Sequence, residues 1–148
     1  MSANGDRAEK YRNDSRSTEE LIRLALTKDA DADNDDYWQP IWTLQHRLPQ
    51  ILERVKELGH STDEKSRDTA ATLLVGQNGV KDKVAISDCV VFLLEMLGRE
   101  NSPVVLTAIA FALGHLHDPR AIQAILPLKE HSEADVRYAV VHSVSGPQ

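Results

Sequence analysis

Arg67-Asp68-Thr69-Ala70-Ala71-Thr72-Leu73-Leu74, Leu106-Thr107-Ala108-Ile109-Ala110-Phe111-Ala112-Leu113 and Arg137-Tyr138-Ala139-Val140-Val141-His142-Ser143-Val144 are three versions of one helical face. In each, small and branched apolar residues recur three and four positions apart, the spacing that puts them on one side of an α-helix. A weaker fourth version is Tyr37-Trp38-Gln39-Pro40-Ile41-Trp42-Thr43-Leu44. The aligned apolar positions 44, 74, 113 and 144 are offset by about 30, 39 and 31 residues, a period that marks stacked helical repeats. A repeat scaffold presents a surface and seldom carries its own chemistry, so the pattern speaks to architecture before task.

The punctuation around these copies divides the chain into eight helices. Residues 1–16 are polar and aperiodic and read as a flexible N-terminal tail, with residues 17–148 as the repeat domain. Ser17-Thr18-Glu19-Glu20 has capping-box spacing ahead of an apolar stripe. Asp36 is placed to cap a second helix, and Leu48-Pro49 to open a third that ends at Leu58 with Gly59 as its stop. Asp63 caps the fourth, which runs to about Val75, and Gly76-Gln77-Asn78-Gly79 is the clearest loop. A fifth helix spans roughly Lys81 to Leu97. Ser102-Pro103 and Asp118-Pro119 open the sixth and seventh, and Ser132 followed by Asp135 opens the eighth.

Composition agrees with an all-α chain. Of 148 residues, 41% are hydrophobic but only 5% aromatic, and the apolar set is dominated by alanine, leucine and valine, which suits close-packed helices better than a sheet sandwich. The single cysteine, Cys89, excludes an intrachain disulfide and lies in an apolar run where burial would keep its thiol inert. The first ten residues are too polar for a secretory signal, and nothing reads as a membrane span, which points to the cytoplasm. A net charge of −6 opposes general attraction to nucleic acid or anionic lipid.

The run Leu113-Gly114-His115-Leu116-His117-Asp118-Pro119-Arg120-Ala121-Ile122, followed by Asp135-Val136-Arg137, resembles the link between successive HEAT-like repeats of bacterial proteins, including the repeats of bilin lyases. The resemblance covers residues 102–145 well, 49–101 loosely and 18–48 by pattern only. It departs from the family where the Leu-Gly pair ends only one of the aligned copies, at Leu113-Gly114, and where Leu106 replaces the arginine of its sister copies Arg67 and Arg137. It implies a right-handed α-solenoid of about four hairpins whose second helices line a concave binding face. It implies no single activity, since similar repeats occur in adaptors, bilin lyases, alkylpurine DNA glycosylases and di-iron hydroxylases.

Placing the copies in register exposes two non-core positions one turn apart on each second helix. These are Trp38 and Trp42, Asp68 and Thr72, Thr107 and Phe111, and Tyr138 and His142. Aromatics there would anchor a protein or peptide partner, or a flat ligand. The competing reading is that the tryptophans pack on the first helix and close that end of the stack.

Other constellations are weaker. Asp29 to Asp36 begins like a calcium loop, but the twelfth position is Pro40 and the sixth is Asn34, so a solvated loop is the better reading. His115 and His117 are spaced so that they point in different directions, and no histidine is directly followed by glutamate; no metal or cofactor is expected. Trp38, Trp42, Asp68 and Arg137 are a faint echo of a glycosylase site without its basic balance. Arg67 and Arg137 read as i, i+4 partners of Asp63 and Glu133. The final helix, with only Ser145-Gly146-Pro147-Gln148 after it, is expected to leave Val136, Val140 or Val144 as apolar surface that either a second copy, in a homodimer through this helix, or a missing C-terminal portion would cover. The reading that follows is a non-catalytic adaptor, with an alkylpurine glycosylase-like or bilin lyase-like enzyme as the alternative use of the groove.

Overall fold

A computed structural model describes residues 11, 13–28, 34–75 and 85–145. Among them run α1 (Thr18–Thr27), α2 (Asp35–Gln45), α3 (Leu48–Gly59), α4 (Glu64–Leu73), α5 (Ile86–Arg99), α6 (Pro103–Leu116), α7 (Pro119–Ile125) and α8 (Ala134–Ser145). A 3-10 turn, Leu126–Glu130, continues α7, because Pro127 has no N–H to carry the α-helical ladder forward. The described residues contain no strand, and the chain is an all-α solenoid of helical hairpins.

Several helix starts follow the local chemistry seen in sequence. Ser17 Oγ accepts the Glu20 N–H at 3.1 Å, Asp63 Oδ2 accepts the Ser66 N–H at 2.9 Å, and Asp118 Oδ1 accepts the Arg120 N–H at 2.8 Å. The cap of α2 differs from expectation. Asn34, not Asp36, occupies it, its Oδ1 accepting the Asp36 N–H at 3.1 Å, which leaves Asp35 and Asp36 in the first turn where their charge favours the helix dipole. Residues 29–33 of the acidic run and the 76–79 loop lie outside the described residues.

The hairpins pair α1 with α2, α3 with α4, α5 with α6, and α7 with its 3-10 turn against α8. Their second helices form a row in which α4 packs on α2, α6 on α4, and α8 on α6. The repeat positions Leu44, Leu74 and Leu113 are buried along it, and Val144 packs against the same core from a partly buried site. The first helices make the other layer, where Gly59 of α3 meets Phe92 of α5 and α5 contacts α7.

Two glycines set how closely the layers approach. A Cβ on Gly59 would lie 2.4 Å from Phe92 Cζ, and one on Gly114 would lie 2.2 Å from Ser143 Oγ of α8. Gly59 was expected as a helix stop, yet it is the last residue of α3 and His60 forms the cap; its small size is required by the crossing helix. The left-handed residue is instead His117, φ 53°, which closes α6.

The arginines repeat a brace across turns. Arg67 Nη1 donates to the carbonyls of Ser61 and Thr62 at 3.2 and 2.9 Å, and Arg137 Nη1 donates to those of His131 and Ser132 at 2.8 and 2.9 Å, the same sixth and fifth positions before each. Arg67 also grips Glu100 of the next hairpin, Nε to Oε1 at 2.8 Å and Nη2 to Oε2 at 3.1 Å. The expected i, i+4 pairing is therefore corrected. Asp63 is committed to capping α4, and the guanidiniums turn toward carbonyls that no helix satisfies.

Two further expectations change. Within the segment read as a tail, Tyr11 is 8% exposed with its ring 5.7 Å from that of Trp42. Arg47 Nη2 donates to the Asp14 carbonyl at 2.9 Å, so the packed region reaches upstream of Ser17. On α8, Val136 and Val140 are 0% and 1% exposed and do not form an open patch. The crossing at Gly114 and Ser143 turns the valine face onto α6, and the helix exposes Tyr138 and Val141 instead.

Gly114→Ala should cost about 2–4 kcal/mol in urea denaturation, because the added methyl meets a packed neighbour, and Ser143→Gly in the same chain should recover part of that loss. Glu100 supplies a pH test. Burial alone would raise its pKa, but Arg67 and the Ser102 and Asn101 N–H groups outweigh it and hold the carboxyl below its ordinary range. A depressed native value contributes stability at neutral pH that is lost as pH falls from the ordinary carboxylate range through the native one. Glu100→Gln should cost about 1–3 kcal/mol at pH 7, and its deficit against wild type should shrink in denaturation series taken toward pH 3.

Candidate partner-binding face

The eight residues singled out from the repeat register do fall on the α2, α4, α6 and α8 row, but the structure divides them into two aromatic groups separated by polar side chains. At one end Trp38 and Trp42, one turn apart on α2, stack with centroids 6.2 Å apart and planes 25° from parallel. Both are partly buried against the core. Tyr37 meets Trp38 edge-on at 4.8 Å, and Tyr11 covers Trp42. The rings that meet the tryptophans are thus Tyr37 of their own helix and Tyr11 from ahead of α1.

At the other end Phe111 of α6 lies 6.3 Å from Tyr138 and 5.6 Å from His142 of α8, while Tyr138 and His142 stack at 5.9 Å with planes 20° apart. Phe111 is partly buried and packed against the core, whereas Tyr138 is 63% exposed. The i, i+4 spacing of Tyr138 and His142 lines up their rings, and Phe111 fixes them from the neighbouring helix. The result is a preformed aromatic surface whose outer ring is in water.

Asp68 and Thr72 lie on α4 between the two groups. Thr72 hydrogen-bonds with the hydroxyl of Tyr37, a ring 1% exposed. Burial, with the nearby Asp68 charge adding to it, pushes the Tyr37 phenol up to about 12 against the opposing effect of Thr72. Burial likewise raises the Asp68 carboxyl, Lys65 pulling it back and Glu64 adding to the rise. The Lys65 ammonium sits 4.7 Å from the Tyr37 ring centroid, a cation–π contact. The Thr107 hydroxyl donates to the Pro103 carbonyl at 2.7 Å and so is turned back onto its own helix.

Sequence reasoning missed Tyr37 and Tyr11. Tyr37 could have been found, since it precedes Trp38 on a helix whose register was known; Tyr11 sits in an aperiodic segment with no such signal. The histidines make separate contacts: His60 Nε2 meets Glu95 at 2.9 Å, His115 Nδ1 meets the Phe111 carbonyl at 2.8 Å, and His131 Nδ1 accepts the Glu133 N–H at 3.0 Å. Cys89 is buried.

Because the native Tyr37 phenol titrates above an ordinary tyrosine, it favours the folded chain below the unfolded value, and that contribution is lost as pH rises from the unfolded value near 10 through about 12. Ultraviolet titration of the three tyrosines should therefore show a late-ionising phase that Tyr37→Phe removes. The same variant should cost about 1 kcal/mol at pH 7 for the lost Thr72 bond.

Comparison with known proteins adds the family. A family model described as HEAT repeats matches residues 48–145, from the first residue of α3 to the last of α8. The first hairpin, whose sequence copy is the weakest, lies outside the match. No curated protein matches, and no solved structure does. A match over well more than half of its length makes this chain a member of the HEAT repeat family.

Proposed function

We propose that the protein is a non-catalytic cytoplasmic adaptor that holds a protein or peptide partner on the α2, α4, α6 and α8 row, with Tyr138, His142 and Phe111 as the main anchor. HEAT repeats are commonly protein-interaction scaffolds, which supports the class; the observation that carries the site is the stacked, solvent-facing Tyr138–His142 pair braced by Phe111. Rigid aromatic rings supply contact area with little side-chain entropy left to lose on binding. Trp38 and Trp42 offer a second, shallower contact at the far end, and Asp68 gives the middle of the row a carboxylate.

A protein partner suits this face better than nucleic acid, since the chain carries −6 and the row itself contributes Asp68. No described helix is long and apolar enough to cross a membrane.

The test is affinity capture from the native cell extract with wild type and a Tyr138→Ala, His142→Ala variant shown by circular dichroism to keep its helix content. Both changes are on exposed positions, so folding should be within about 0.5 kcal/mol of wild type. A partner held by wild type and lost about tenfold or more by the variant supports the aromatic anchor. Equal recovery by both chains removes it.

A further inference from the structure

The arginine of the repeat register is missing from two of the four copies, which have Tyr37 in the first and Leu106 in the third. The position of Arg67 in the second copy and Arg137 in the fourth is held by Leu106 in the third. Both arginines donate to the carbonyls six and five residues before them, and the corresponding carbonyls beside Leu106 belong to Glu100 and Asn101. Leucine has no donor and a shorter reach. In that place, between the α5–α6 turn and the 3-10 turn after α7, is a solvent-open cavity of about 330 Å³.

The walls suit the missing side chain. Leu97, Leu106 and Leu128 give an apolar lining, while Glu100, Asn101 and His131 supply its polar part. The Glu100 side chain is 4% exposed and is already gripped by Arg67 from the neighbouring repeat. His131 stands at the register position that Glu100 holds one repeat earlier, and its Nδ1 is occupied by the Glu133 N–H. An aromatic ring thus lines the wall where the preceding brace has a carboxylate, and guanidinium groups pack on aromatic rings.

We infer that this cavity receives an arginine side chain supplied in trans by a protein partner. Its methylene stem lies against Leu97, Leu106 and Leu128, and its guanidinium takes the Glu100 and Asn101 carbonyls as Arg67 and Arg137 take theirs. The acidic balance of the chain favours such a cationic contact. Lysine is the poorer fit, because an ammonium is a compact, strongly hydrated point charge without the planar face that packs beside His131. The site is on the turn edge of the stack and is independent of the aromatic row, so either can fail without the other.

The experiment is a backbone amide NMR titration of the full chain with N-acetyl-arginine-N-methylamide and, separately, its lysine counterpart. The arginine probe should give saturable shifts at the Asn101, Ser102, Leu106 and His131 amides with a dissociation constant on the order of 10 mM, and the lysine probe should bind at least about fivefold more weakly. Leu106→Arg should fill the cavity from within, abolish those shifts and raise Tm by about 2–5 °C. Should that variant not fold, Asn101→Asp, at an exposed position, adds a carboxylate at the rim and should tighten the arginine probe about two- to fivefold at low salt. The inference is overturned by the absence of saturable shifts at these amides in wild type, by equal binding of the two probes, by an undiminished response in folded Leu106→Arg, or by unchanged affinity in Asn101→Asp.

Discussion

The stack depends on the enclosure of α6. Val105, Leu106, Ile109, Ala110, Ala112, Leu113 and Gly114 are all buried, which is too much of one helix's circumference for a single partner to cover. It is covered instead by α4 and α8 within its row and by α5 and α7 from the other layer. A hairpin of such helices cannot hide its own apolar surface, so burial requires neighbours on both sides, and this nearest-neighbour requirement is what makes a solenoid from repeated hairpins. Alanine and glycine are the means. Small residues let α8 approach until Ser143 Oγ meets the Ala110 carbonyl at 3.3 Å, an approach that larger side chains at Gly114 would prevent.

Away from this core, two kinds of surface are built by different physics. The turn edge is polar and is organised by charge-assisted hydrogen bonds to loop carbonyls, with Arg67 tying two successive turns through Glu100 and Ser102 Oγ donating to Glu64 at 2.7 Å. Exposed ion pairs such as Arg54 with Glu19 and Arg99 with Glu95 continue the outer layer but add little individually in water. The helical row is aromatic and is organised by packing, with rings seated at i, i+4 spacing and held by a neighbouring helix. The turn edge is therefore sensitive to carboxylate protonation, and the row to the shape of its side chains.

The two ends of the row are not equivalent. Tyr11 and Tyr37 cover much of the tryptophan pair, and the ends of that aromatic group are used to hold the segment before α1 against the domain. Around Phe111 nothing comparable covers the outer rings among the described residues, and Tyr138 is left largely in water. The same residue types in the same register thus serve closure at one end and exposure at the other.

Much of the architecture was legible in the residues themselves. The spacing of Leu44, Leu74 and Leu113, the caps at Ser17, Asp63 and Asp118 and the prolines at positions 49, 103 and 119 act over one or two turns, so local chemistry alone places the helices and their period. The register also identified which side chains share the row. What the residues could not reveal is how each helix is rotated against the next. Whether Val136 and Val140 or Tyr138 and Val141 face water depends on the Gly114–Ser143 crossing, and whether Arg67 turns to Asp63 or to Glu100 depends on a carboxylate brought to it from 33 residues away. Tyr11 joins the core only because Trp42 is there to receive it. These outcomes are contacts between segments distant in sequence, and only the assembled stack, where burial and hydrogen-bond satisfaction are settled together, decides them.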